Sequence, residues 1–128
     1  MHRVPAMFAL SNRTTLKTRI PFERIKDAIL GKKYDLSLVL MGDTLATGLN
    51  KTHKGRKGPT DVLSFPLDRH EGEIFINVRR AERDAKSFGH TPRQHIAFLY
   101  IHSCLHLAGF EHGEDMEKRE DALLQKFI

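Results

Sequence analysis

The chain has 128 residues, 40% of them hydrophobic and 29% charged, with a formal net charge of +5. That length and apolar content suffice for one ordinary core and argue against a second, so residues 1–128 are expected to form a single domain. No apolar run approaches the roughly 18 residues of a membrane span, and Arg3, Pro5, Ser11, Asn12 and Arg13 interrupt any signal-like stretch at the start.

Residues 4–11 read as a first strand. Pro21 opens a helix whose apolar residues Phe22, Ile25, Ile29 and Leu30 recur at helical spacing, and Gly31 stops it. Residues 34–41 (YDLSLVLM) are β-type, alternating in their first half, and Gly42-Asp43 caps a short helix carrying Leu45 and Leu49. A basic glycine loop follows, in which four of the seven residues of Lys51-Thr-His-Lys-Gly-Arg-Lys57 are cationic. Residues 62–67 form a strand entered from Pro59-Thr-Asp61, and residues 73–78 alternate Ile74, Ile76 and Val78 against Phe75 and Asn77.

From Arg79 the pattern is helical through Phe88, with Gly89 as terminator. Thr91 and Pro92 then supply an N-cap and a proline at the first position of the longest helix. Residues 96–108 are apolar on nearly every side, so this helix is expected to cross the middle of the domain before Gly109 ends it. A last helix over 116–127 keeps Leu123, Leu124 and Phe127 on its apolar side. No repeat or low-complexity tract interrupts the pattern. It fits an α+β fold with a small mixed sheet of about four strands packed against helices.

Charge is unevenly placed. Residues 111–121 hold six acidic and two basic residues, so the rest of the chain is more positive than the total suggests. Such a surface attracts polyanions, and nucleic acid is the expected partner; a solvated basic loop accounts for the charge run alone equally well. The single cysteine, Cys104, cannot close an internal disulfide, which fits a reducing cytoplasm.

The chemistry is concentrated in His102-Ser-Cys-Leu-His106-Leu-Ala-Gly109-Phe-Glu-His112. His102 and His106 are one helical turn apart, so their imidazoles leave the same side of the helix. Gly109 can turn the chain so that His112 approaches the same point from another direction. At this histidine content the spacing is expected by chance only about 0.03 times in the chain. Two imidazoles on one buried face without a shared partner would be costly, and a metal ion resolves that cost. Three neutral imidazoles suit zinc, one ion per chain, and leave a fourth tetrahedral position open, as in catalytic sites. Cys104 points to the opposite side of the helix. A closed, structural site would instead recruit Glu114 or Asp115.

Spacing and glycine match the zinc peptidase pattern H-E-x-x-H-x-x-G-x-x-H except that Ser103 stands where the catalytic glutamate would be. Serine cannot serve as the general base for amide hydrolysis at neutral pH, which weakens that reading. A phosphodiester is a better substrate, because a metal and a basic side chain can carry its transition-state charge without that carboxylate.

The segment from His102 to His112, with Pro59-Thr-Asp-Val-Leu-Ser-Phe-Pro66 and the preceding Leu49-Asn50, resembles the YbeY-type bacterial endoribonucleases, or rRNA maturation factors. The resemblance implies a zincin-like fold and a cytoplasmic, metal-dependent single-strand endoribonuclease acting in ribosomal RNA maturation and ribosome quality control. Its partners would be ribosomal RNA and the ribosome or its proteins, with no membrane. It implies His102, His106 and His112 as zinc ligands, with His102 and Lys54 in the catalytic centre. Lys54 falls where the family usually has an arginine. Lysine keeps the charge but not the planar fork, so Lys54 is expected to contribute less, or Arg56 to share the task. Ser103 replaces a glycine, Phe110-Glu111 a tyrosine-aspartate pair, and Glu73 an aspartate.

Glu111, Glu114 and Asp115 are candidates to orient the ligand imidazoles, or else simply an acidic helix start. His53 is a candidate RNA contact, and Thr60 and Asp61 are either cleft-entrance or turn residues. His2, His70, His90 and His95 read as surface or helix residues. His95 lies roughly 10 Å along the helix from His102, too far to share an ion. The rival functions are a zinc metallopeptidase and a noncatalytic RNA-binding ribosome assembly factor with a structural zinc.

Overall fold

Three strand pairings build the sheet of this computed structural model, which describes residues 7–17, 19–54 and 61–128, the side chains of 52–54 excepted. Strand β1 (Phe8–Asn12) runs parallel to β2 (Asp35–Met41), β2 runs parallel to β4 (Glu71–Asn77), and β3 (Val62–Asp68) is antiparallel to β4. The order is β1-β2-β4-β3, a mixed sheet with both central strands parallel. Parallel strands need long crossovers, and helix α1 (Phe22–Leu30) fills the first one.

The register puts Leu38 and Leu40 of β2 beside Ile74 and Ile76 of β4, and Leu36 beside Gly72. These side chains are buried together with Ile25 of α1 and with Ile96, Ala97, Tyr100, Ile101, Cys104 and Leu105 of α4 (Pro92–Leu107). Each buried aliphatic side chain contributes about 1.5–3 kcal/mol, which is ample reason for α4 to lie across the sheet. Val39 and Met41 are buried too, so the second half of β2 is covered on both faces. That double burial explains why alternation fades after Leu38. Tyr100 ties α4 to α1: its hydroxyl donates to the Phe22 carbonyl at 2.8 Å, and the two rings meet edge to face at 4.8 Å.

Helix α2 (Asp43–Lys54) is longer than the short helix expected there and carries the first part of the basic segment through Lys54. Its start is fixed by Asp43, which accepts bonds from the Asn77 amide at 2.8 Å and from both terminal nitrogens of Arg83 at 2.8 and 3.0 Å. The expected strand over 73–78 ends one residue early. The Asn77 side chain accepts from the Arg80 backbone N–H and caps α3 (Val78–Asp84), so Val78 packs as a helix residue. A 3₁₀ turn, Ala85–Phe88, completes that helical stretch, and α5 (Glu114–Phe127) closes the chain. Of the first expected strand, residues 4–6 lie outside the described residues, and the rest begins at Phe8. No helix among the described residues is long and apolar enough to cross a membrane.

Candidate metal centre

The site starts with a well-made helix. Thr91 and Gln94 form a reciprocal capping box at the N-terminus of α4, with the Thr91 hydroxyl 3.2 Å from the Gln94 N–H and the Gln94 side chain 2.9 Å from the Thr91 N–H. Pro92 follows at the first turn. Three turns later His102 and His106 project from one side, while Ser103, Cys104 and Leu105 are buried. Burial pushes the Cys104 thiol up to about 12, so it behaves as a core residue and not as a thiolate donor.

The C-terminus of α4 is as specific as its start. Gly109 adopts φ +99°, its N–H bonds to the His106 carbonyl, and the Phe110 N–H bonds to the Leu105 carbonyl, both at 3.0 Å. This paired closure is a Schellman motif. It reverses the chain and brings the His112 ring to 4.6 Å from that of His106 and 5.1 Å from that of His102, centroid to centroid. One ligating atom from each of the three histidines lies within 4.8 Å of the others, and among the described residues no carboxylate joins that group. Glu111, Glu114 and Asp115 are exposed, and Glu114 faces Lys118 at 3.5 Å instead of an imidazole.

Hydrogen bonds fix the tautomers. The Phe110 carbonyl can only accept, so His106 donates Nδ1–H to it at 3.2 Å and its Nε2 carries a lone pair. The Glu120 carboxylate, from the second turn of α5, lies 2.8 Å from His102 Nδ1 and accepts its proton in the same way. With both rings neutral, both Nε2 atoms then carry lone pairs and face one another at 3.0 Å. Two acceptors cannot hydrogen-bond to each other, whereas a shared cation satisfies both. Tetrahedral zinc would hold such nitrogens roughly 3.3 Å apart. The donor set therefore fits a borderline-soft divalent ion. Burial, and after it the charges of His102 and His112, holds His106 below the ordinary histidine range and keeps its imidazole neutral and able to ligate.

Glu120 was not among the residues singled out in the sequence. Its signal is present there: with Met116, Leu123, Leu124 and Phe127 it lies on the apolar stripe of α5, and it is only 6% exposed. A carboxylate on a core-facing stripe needs a partner. Of the other candidates, Lys54 is the last residue of α2, its side chain and that of His53 outside the described set, as are Arg56 and Thr60. Asp61 enters β3, its carboxylate accepting the Val62 N–H at 2.8 Å. His95, expected on a surface or helix, is a buried residue of α4, its Nδ1 3.0 Å from that of His90.

Comparison with known proteins identifies the family. The family model described as Endoribonuclease YbeY matches residues 11–128. The chain belongs to the YbeY endoribonuclease family. It is 35% identical over 127 residues to the Endoribonuclease YbeY of Pelotomaculum thermopropionicum, covering 87% of this chain and 84% of that one. It is 33% identical to the YbeY of Helicobacter pylori, covering 94% and 91%. The solution structure of a Thermotoga maritima protein shares the fold, with a TM-score of 0.70 and 22% identity over 94% of this chain and 88% of the other. As a YbeY protein the chain is a nuclease of the hydrolase class, and its three clustered histidines could hold a metal ion.

Proposed function

We propose that the chain is a zinc-dependent single-strand endoribonuclease of the cytoplasm that acts in ribosomal RNA maturation and ribosome quality control, on the ribosome or with its proteins. The observation that supports it most is the pair of Nε2 atoms of His102 and His106 facing each other at 3.0 Å with His112 alongside. Zinc bound there supplies Lewis-acid charge at a phosphodiester. The protein's own groups do the rest. Glu120 and the Phe110 carbonyl hold the two ligand imidazoles in one tautomer and orientation. Lys54, at the end of α2, stabilises the additional phosphate charge that develops in the transition state, with Arg56 sharing the task. Ser103, buried at 2% exposure beside His102, offers no general base for amide hydrolysis, which favours phosphodiester over peptide cleavage.

Elemental analysis of purified protein, paired with cleavage of a single-stranded oligoribonucleotide, tests this reading. One zinc per chain is expected, with cleavage lost in His106→Ala and strongly reduced in Lys54→Ala. A zinc-loaded wild type that leaves RNA intact, or a folded Lys54→Ala that cuts at the wild-type rate, overturns the corresponding assignment. Product ends separate attack by water from attack by the ribose hydroxyl, which alone leaves a cyclic phosphate.

A further inference from the structure

Phe88 is the one aromatic side chain of this protein left mostly in solvent, at 58% exposure; the other seven phenylalanines and both tyrosines are buried or half-buried. Its position is well defined. It ends the 3₁₀ turn, and Gly89, in the left-handed region at φ 71°, turns the chain immediately behind it. The ring leans on His95, centroids 4.7 Å apart, and lies 6.2 Å from the ring of Phe98. Phe98 in turn stands 6.1 Å from the ring of His102. A row of rings thus leads from solvent to a metal-ligand candidate.

That row borders a cleft of about 500 Å³ between β3 and α4, whose walls include Phe65, Phe88 and Phe98 and whose polar end includes His102, His106 and Ser103. The volume is in the range that takes a small ligand. Unpaired bases are bound by stacking on flat side chains, whereas a duplex keeps its bases stacked on each other. The net positive charge of the chain suits a polyanionic strand.

We infer that Phe88 is a stacking residue for an unpaired nucleobase of single-stranded RNA, the base flanking the phosphodiester held at His102 and His106. The inference rests on the ribonuclease reading above and deepens it, since it assigns the single-strand preference to a particular ring. The polar end of the cleft takes the phosphate and the aromatic wall takes the base. Phe98 and His95 brace Phe88 from behind, so its outer face is presented without reorganisation.

The test is steady-state cleavage of a short single-stranded oligoribonucleotide by zinc-loaded protein, with equilibrium binding measured alongside. Phe88→Ala is expected to raise KM and Kd about 5- to 100-fold and to change kcat by less than about threefold. Phe88→Tyr, which keeps the flat ring, should behave as wild type, and Phe88→Leu, which keeps the apolar bulk, should behave as Phe88→Ala. On an oligonucleotide with an abasic residue beside the cleaved bond, wild type and Phe88→Ala should become equal. Circular dichroism confirms that each variant is folded. If wild type cleaves and Phe88→Ala and Phe88→Leu match it on the intact strand, or if the penalty persists on the abasic strand, the stacking assignment falls and the nuclease reading stands. If zinc-loaded wild type neither binds nor cleaves the strand, both fall together.

Discussion

The carboxylate of Glu120 meets Nδ1 of His102 at 2.8 Å, joining the last helix of the chain to the first of three clustered imidazoles. The bond sets which nitrogen of His102 carries the proton, and so which one is free to ligate. Glu120→Ala should weaken zinc binding about 10- to 100-fold, and Glu120→Gln, which can still accept through its amide oxygen, should weaken it less. Competition with a chelator of known affinity measures both. Equal affinities in wild type and Glu120→Ala would remove Glu120 from the site.

Gly109 lies at φ +99° with open space around its Cα, so a methyl group there meets no neighbour and the cost of substitution is conformational. Gly109→Ala is expected to destabilise the protein by about 1–2 kcal/mol. Because the same turn delivers His112, zinc affinity should fall with it. Urea denaturation of the zinc-free protein isolates the first effect, and chelator competition the second.

The Nδ1 atoms of His90 and His95 lie 3.0 Å apart, so a hydrogen bond between them needs one donor and one acceptor, and two protonated nitrogens there would oppose each other. Burial, and then the charge of His90, lowers His95 from its ordinary value of 6.5, while Asp84 and Asp61 act in the opposite sense. The folded state therefore binds fewer protons than the unfolded chain just below pH 6.5. Stability is fully present above that pH and declines as pH falls, until the folded site itself protonates. Denaturant midpoints measured across that window should slope less in His95→Phe than in wild type. Identical slopes would show that the pair does not control the transition.

Asp43 behaves as its counterpart in acid. The Arg83 guanidinium first, and the Asn77 amide second, lower its pKa from 3.8 to about 2. Its contribution is complete above pH 3.8 and is lost as pH falls through about 2. Both side chains of the ion pair are about half exposed, so Asp43→Ala should cost under about 1 kcal/mol at neutral pH. Thermal unfolding at low and high salt provides the check, with the difference shrinking at high salt.

Local patterns in the sequence are the ones that translate most directly into the fold. Thr91-Pro92 marks the start of α4 because capping is settled within a few residues, and Gly109 marks its end for the same reason. The spacing of His102, His106 and His112 depends only on helix pitch and one turn, so the cluster can be read along a single segment. Glu120 could not be read that way, since its partner lies 18 residues away on another helix and the acidic run around it looks like solvated surface. Glu111, Glu114 and Asp115 were the obvious acids by proximity in sequence, yet they face solvent. The change at Val78 has a similar origin: alternation carries through it, but the Asn77 side chain caps a helix there, and a side-chain bond outweighs the pattern. The His90–His95 pair needs the fold of two segments and has no periodic signature.

The Schellman turn and the Glu120 bond together would give a bound ion a second task. The short span from Gly109 to the start of α5 carries His112, whose ring lies 5.1 Å from that of His102, and Glu120 of α5 is itself bonded to His102. An ion seated among the three rings would act as a clasp on the closing helix of 14 residues, whose amides should exchange with deuterium more slowly once zinc is added. Metal supply would then govern the order of the carboxy-terminal segment as well as its chemistry.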